Sequence, residues 1–177
     1  MSFFAHTPRH VLVEELLAPA KDDESNGRSL LARRLEVARE LLLRDLEKRM
    51  KAGPTLTSPD AMREWLSLYY LGSERETFLA LFLDTRHRLI AARELFQGTL
   101  DGATVHPREV VREALRQNAA AVCVAHNHPS GVADPSAADR AITARLKQAL
   151  ALVDVRLLDH FVVAGSDFVS LASRGWV

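Results

Sequence analysis

Two imidazoles and a carboxylate fall within one short segment, Ala125-His126-Asn127-His128-Pro129-Ser130-Gly131-Val132-Ala133-Asp134-Pro135-Ser136-Ala137-Ala138-Asp139. His126 and His128 are two residues apart, so in extended backbone their side chains leave the chain on the same side and can share one metal ion. Pro129, Gly131 and Pro135 supply the turn chemistry that sends the chain back. Ser136 suits a helix N-cap, which puts Asp139 in the first helical turn, where its carboxylate can swing towards the histidines. Three protein ligands of this kind leave a fourth tetrahedral position for water. That is the pattern of catalytic zinc, whereas structural zinc is closed by four protein ligands. Ser136 and Asp139 also form a Ser-x-x-Asp pair close to a capping box, in which Asp139 accepts backbone N–H groups and complements the helix dipole. Capping and metal binding are compatible roles for neighbouring residues.

These side chains need a scaffold, and the rest of the chain supplies one. The apolar run Ala119–Ala125 has strand length and delivers His126 to a sheet edge; His126–Pro135 reads as a loop and Ser136–Leu150 as a helix. Upstream, Phe78–Asp84 and Arg88–Phe96 read as strands joined by a turn at Thr85-Arg86-His87, a hairpin. Gly98 and Gly102 mark a loop, and Pro107 opens a helix to about Gln117. Downstream, Val155–Ala164 and Phe168–Ala172 read as strands. Ser58-Pro59 begins a helix that ends near Gly72, with Trp65, Leu66 and Tyr69 facing inward. Further towards the N-terminus, Val11–Ala18 suits a short helix ended near Pro19, and Lys21–Gly27 is a polar turn. Arg28–Lys51 is an amphipathic helix with Leu31, Leu35, Ala38, Leu42 and Leu46 on one face, ended by Gly53-Pro54. It reads as a packing or dimerising helix. The order implies an α/β protein: a mixed β-sheet flanked by helices, preceded by a helical N-terminal extension.

Composition narrows the function classes. Lys+Arg and Asp+Glu are both 23, so no global charge draws the 177-residue chain towards nucleic acid or an anionic membrane. The single cysteine, Cys123, excludes a disulfide framework and a Cys-rich zinc ribbon, and its apolar surroundings make it core filler. It also excludes the zinc deaminase pattern, which needs Pro-Cys-x-x-Cys. Met1–Pro8 lacks the basic and apolar segments of a signal peptide, and no apolar stretch approaches the ~20 residues of a membrane span. These features fit a cytoplasmic protein with no membrane partner.

The spacing His126-x-His128, seven residues, Ser136, two residues, Asp139 resembles the JAMM motif of MPN-type metalloproteases. Gly98-Thr99-Leu100, Val105-His106-Pro107-Arg108-Glu109, His126-Asn127-His128-Pro129-Ser130-Gly131 and Leu158-Asp159-His160 resemble the RadC branch of that family. The resemblance covers roughly Thr57 to Val177, dividing the chain into an extension, 1–56, and a RadC-like JAMM/MPN domain, 57–177. It implies an MPN fold, related to the deaminase-like architecture. It makes His126, His128 and Asp139 ligands of Zn2+, Ser136 a helper near the bound water or developing oxyanion, and Glu94 the general base. On residue types alone, Glu94 cannot be preferred to Glu109 or Glu113; a strand-borne carboxylate is simply better fixed than one on a solvated helix.

The resemblance thus implies a zinc-dependent hydrolase of the metallopeptidase or isopeptidase type, acting on a peptide or isopeptide substrate. The alternative is a zinc-stabilised binding module in DNA repair or recombination. Gly27 and Gly53 are the only glycines in the first 53 residues, so the paired helix–hairpin–helix found in many RadC-like proteins is not legible, which counts against direct nucleic-acid binding. Self-association through the Arg28–Lys51 helix is the expected mode of any homo-oligomer. His106 and His160 belong to the family words, as structural histidines at element ends or as residues close to the site.

Overall fold

The computed structural model describes residues 4, 6–18, 27–53, 59–98 and 105–177. Several expected features lie outside them: Pro19 and the 21–26 part of the polar turn, Pro54, the Ser58 cap, Thr99, Leu100 and Gly102. The described elements are α1 (Arg9–Leu17), α2 (Gly27–Ala52), α3 (Pro59–Tyr70), β1 (Thr77–Leu83), β2 (Leu89–Gln97), α4 (Pro107–Arg116), β3 (Ala121–Asn127), α5 (Ala137–Ala151), β4 (Arg156–Ala164) and β5 (Asp167–Ser170), closed by a 3-10 turn at Ala172–Arg174. No described helix is long and apolar enough to cross a membrane.

The chain divides into two compact units, Met1–Lys48 and Arg49–Val177. In the first, α1 and α2 bury Leu12, Val37 and Leu41 with Phe4. Arg44 ties the unit together, bonding Glu40 one turn earlier at 2.8 Å and donating to the carbonyls of Phe4 and Thr7 at 2.7 Å each. The apolar face expected on this helix is not the buried one. Leu46 is buried, but Leu31, Leu35 and Leu42 are exposed. The Phe4–Leu12 cluster engages Val37 and Leu41 instead, which lie about a third of a turn round the helix from the leucine stripe.

In the second unit five strands form one sheet in the order β2-β1-β3-β4-β5. Every pairing is antiparallel except β3 with β4, which is parallel and connected through α5. The sheet is therefore mixed, as expected. All seven residues of β1 and all seven of β3 are buried, which explains why these strands read as unbroken apolar runs rather than alternating ones. One face of the sheet carries Phe78, Ala80, Phe82, Val122 and Val124, packed on Val110 and Ala114 of α4 and Leu146 and Leu150 of α5. Leu79, Leu81, Cys123 and Ala125 alternate with these and point the other way. On that second face lie Phe161 and Phe168, stacked at 4.9 Å, and Arg63 of α3 sits 5.6 Å over the Phe168 ring.

Candidate metal centre

Strand β3 runs two residues further than its apolar stretch suggests, so His126 stands inside the sheet and is only 1% exposed. Its register partner is Phe78, and the two rings stack at 6.4 Å on the α4–α5 face. His128 follows just past the strand, its N–H donating to Val163 of β4 at 2.9 Å. The chain then turns, with Gly131 at φ +84, a left-handed conformation that a Cβ would strain. Ser136 caps α5 in a full capping box: its side chain accepts from Asp139 N at 3.1 Å, while Asp139 Oδ2 accepts from Ser136 N and Oγ, both at 2.7 Å.

The cap does not exhaust Asp139. Its Oδ1 lies 3.2 Å from His126 Nε2 and its Oδ2 3.6 Å from His128 Nε2, while the two Nε2 atoms are 2.9 Å apart. Tetrahedral zinc with ~2.0–2.1 Å bonds sets its ligands about 3.3 Å from one another, and these three separations bracket that value. His128 Nδ1 lies 2.8 Å from the Val132 carbonyl. A carbonyl only accepts, so Nδ1 carries the proton and a neutral His128 turns its Nε2 lone pair to the cluster. Lone pairs and a carboxylate aimed at one point call for a cation there. The electrostatics agree: the hydrogen bond to Asp139, against opposing burial, raises the His128 pKa above its ordinary 6.5. Burial works against ionisation of Asp139, but the two imidazoles beside it, His126 and His128, outweigh it and hold the carboxyl well below the usual carboxylate range. His126, His128 and Asp139 form a group able to hold a metal ion.

Ser136 reaches the site, but through Asp139. Its hydroxyl proton goes to Oδ2, which makes it a residue that orients the ligand. Glu94 is not brought to the cluster. It pairs with Leu79, the residue after Phe78, and strand alternation turns it to the α3 face, away from His126. There Tyr69 Oη donates to it at 2.9 Å and Gln97 Nε2 at 2.6 Å. Glu109 and Glu113 are held by arginines along α4.

The carboxylate that the topology does bring to the histidines is Glu76. Phe78 opposes His126 in the β1–β3 register, and Glu76 lies two residues before Phe78, just outside β1. Its charge contributes to raising the His128 pKa. Asn127 pins this segment: its Oδ1 accepts from Thr77 N at 2.8 Å and from Thr77 Oγ1 at 3.2 Å, and its Nδ2 donates to Arg75 O at 2.9 Å. In the sequence Glu76 is marked only as a carboxylate at the entry to an apolar strand; its nearness to His128 comes from the pairing of β1 with β3.

His160 is fully buried on β4 beside His126; burial, then the neighbouring His126 charge, lowers its pKa to about 3. His106 precedes α4 and packs on Phe96 at 6.1 Å, with no side-chain cap bond. Cys123 is buried, and burial raises its thiol pKa far above the usual range, in keeping with core filler.

A model of the RadC-like JAB domain matches residues 56–176. A UPF0758 protein of Halorhodospira halophila is 56% identical over 141 residues, covering 80% of this chain and 63% of that protein. Others from Cellvibrio japonicus and Methylibium petroleiphilum are 54% and 55% identical, covering 81% and 90% of this chain and 64% and 67% of theirs. The chain thus spans about two thirds of the length of the curated relatives it matches.

Proposed function

The chain belongs to the RadC-like JAB domain family, and from that membership and the geometry of its ligand cluster we propose that it is a zinc-dependent hydrolase of peptide or isopeptide bonds. The observation that carries the reading is the convergence of His126 Nε2, His128 Nε2 and the Asp139 carboxylate at the mutual spacing of tetrahedral ligands. Three protein ligands leave a fourth tetrahedral position for water or a substrate oxygen. Zinc, when bound there, supplies Lewis acidity that polarises an amide carbonyl and makes water acidic near neutral pH.

The chain's own residues supply the rest. Glu76 takes a proton from the attacking water and returns it to the departing amine, a role supported by the reach of its charge to His128. Ser136 holds Asp139 in its ligating orientation. Asn127 fixes the backbone on either side of Glu76.

The test is zinc content together with hydrolysis of a panel of peptide and isopeptide substrates, for wild type, Glu76→Gln and Glu94→Gln. The expectation is about one zinc per chain in all three, with turnover lost by roughly 10²–10⁴-fold in Glu76→Gln only, the size of a general base's contribution. Full activity in Glu76→Gln would remove Glu76 as the base. Wild type without metal after incubation with zinc would remove the hydrolase.

A further inference from the structure

Behind the cluster lies a buried run of hydrogen bonds that the ligand set alone does not require. His160 Nε2 is 2.8 Å from His126 Nδ1, and His160 Nδ1 is 2.6 Å from Thr143 Oγ1. Thr143 and His160 are both fully buried. Thr143 Oγ1 in turn lies 2.5 Å from the backbone carbonyl of Asp139, one turn earlier in α5.

The direction of every proton follows from that last link. A carbonyl oxygen only accepts, so the single hydroxyl proton of Thr143 goes to Asp139 O. The hydroxyl has only lone pairs left for His160, whose Nδ1 must therefore carry hydrogen. A neutral imidazole has one N–H, so His160 Nε2 accepts, and His126 Nδ1–H donates to it. His126 Nε2 is left with its lone pair facing His128 and Asp139.

We propose that His160 and Thr143 are positioning residues that fix the tautomer and ring orientation of His126 for a divalent metal ion. Helix α5 then prepares two ligands at once: Asp139 through the Ser136 cap, and His126 through Thr143 and His160. The inference rests on the metal-site reading above, but the proton order is a property of the metal-free protein and can be read without the ion. It also accounts for two polar side chains buried in a core where apolar residues would otherwise serve.

The experiment compares wild type, Thr143→Val and Thr143→Ser. Imidazole 15N shifts of the metal-free proteins report which nitrogen of His126 and His160 carries hydrogen, and competition with a chromophoric chelator reports zinc affinity. Wild type should show His126 protonated at Nδ1 and bare at Nε2. Valine keeps nearly the shape of threonine but gives His160 Nδ1 no acceptor, so the His160 proton moves to Nε2 and His126 is forced to hold its own on Nε2, at the metal position. Zinc affinity should fall 10–100-fold, the usual effect of losing an outer partner of a ligating histidine, and Thr143→Ser should restore both tautomer and affinity. Wild-type His126 protonated at Nε2, or Thr143→Val binding zinc as tightly as wild type, overturns the proposal. Wild type that binds no zinc yet shows the assigned tautomers overturns the metal reading and leaves the proton order established.

Discussion

Replacing Asp139 by asparagine separates its two roles. An amide oxygen still accepts from Ser136 N, so the cap of α5 survives, and the metal-free protein loses only the attraction between the carboxylate and the two histidines. What goes is the anionic ligand between the histidines. At a zinc concentration 100 times the wild-type Kd, binding stabilises the folded state by about 2.7 kcal/mol. The unit Arg49–Val177 has about 130 residues, and at about 2.1 cal/mol/K per residue its unfolding entropy is roughly 0.27 kcal/mol/K. Zinc should therefore raise its Tm by about 10 °C, or about 7 °C if the whole chain melts as one. A 100-fold loss of affinity in Asp139→Asn leaves about 0.4 kcal/mol at the same zinc concentration, a shift of about 1–2 °C. Calorimetry with zinc and with chelator measures both shifts. An Asp139→Asn shift equal to that of wild type would refute the assignment of Asp139 as a ligand and reduce it to a cap. Asp139→Ala is the control: it should lose the zinc shift and lower the metal-free Tm below that of Asp139→Asn, because the cap goes too.

Two further outcomes follow from the same geometry. Asn127→Ala leaves the Thr77 N–H without its buried acceptor and should cost about 1–3 kcal/mol by chemical denaturation; an unchanged midpoint would show that Asn127 does not hold the Glu76 segment. Metal-free stability should peak near pH 6.5. The raised pKa of His128 gives stability that is complete below 6.5 and lost as pH climbs through its folded value. The lowered pKa of His160 gives stability that is complete above 6.5 and lost as pH falls towards about 3, and Asp139 adds to that acid-side loss below about 3.8. Saturating zinc needs deprotonated imidazoles and should abolish the decline above pH 6.5. Denaturation midpoints at pH 5, 6.5 and 8, with zinc and with chelator, decide this; an alkaline decline that persists in zinc would count against His128 as a ligand.

The sequence determined what local chemistry determines. His126-x-His128 at the end of an apolar run, the turn residues and the Ser136–Asp139 box each depend on neighbours a few positions away, and all three appear where the spacing sets them. The hairpin, the helices and the mixed sheet followed from the same short-range signals. The tertiary structure alone decided what depends on which distant segments meet. A one-residue change of register turns a side chain to the other face of a sheet, so the pairing of Leu79 with Glu94 and of Phe78 with His126 sends Glu94 to Tyr69 and brings Glu76 to the histidines. Likewise the leucine stripe of α2 is amphipathic in sequence, yet the segment it meets engages Val37 and Leu41. The link from His126 through His160 and Thr143 joins three elements separated along the chain. Periodicity fixes which side chains share a face of one element; it carries no information about what that face will touch, because contact is settled by packing between elements.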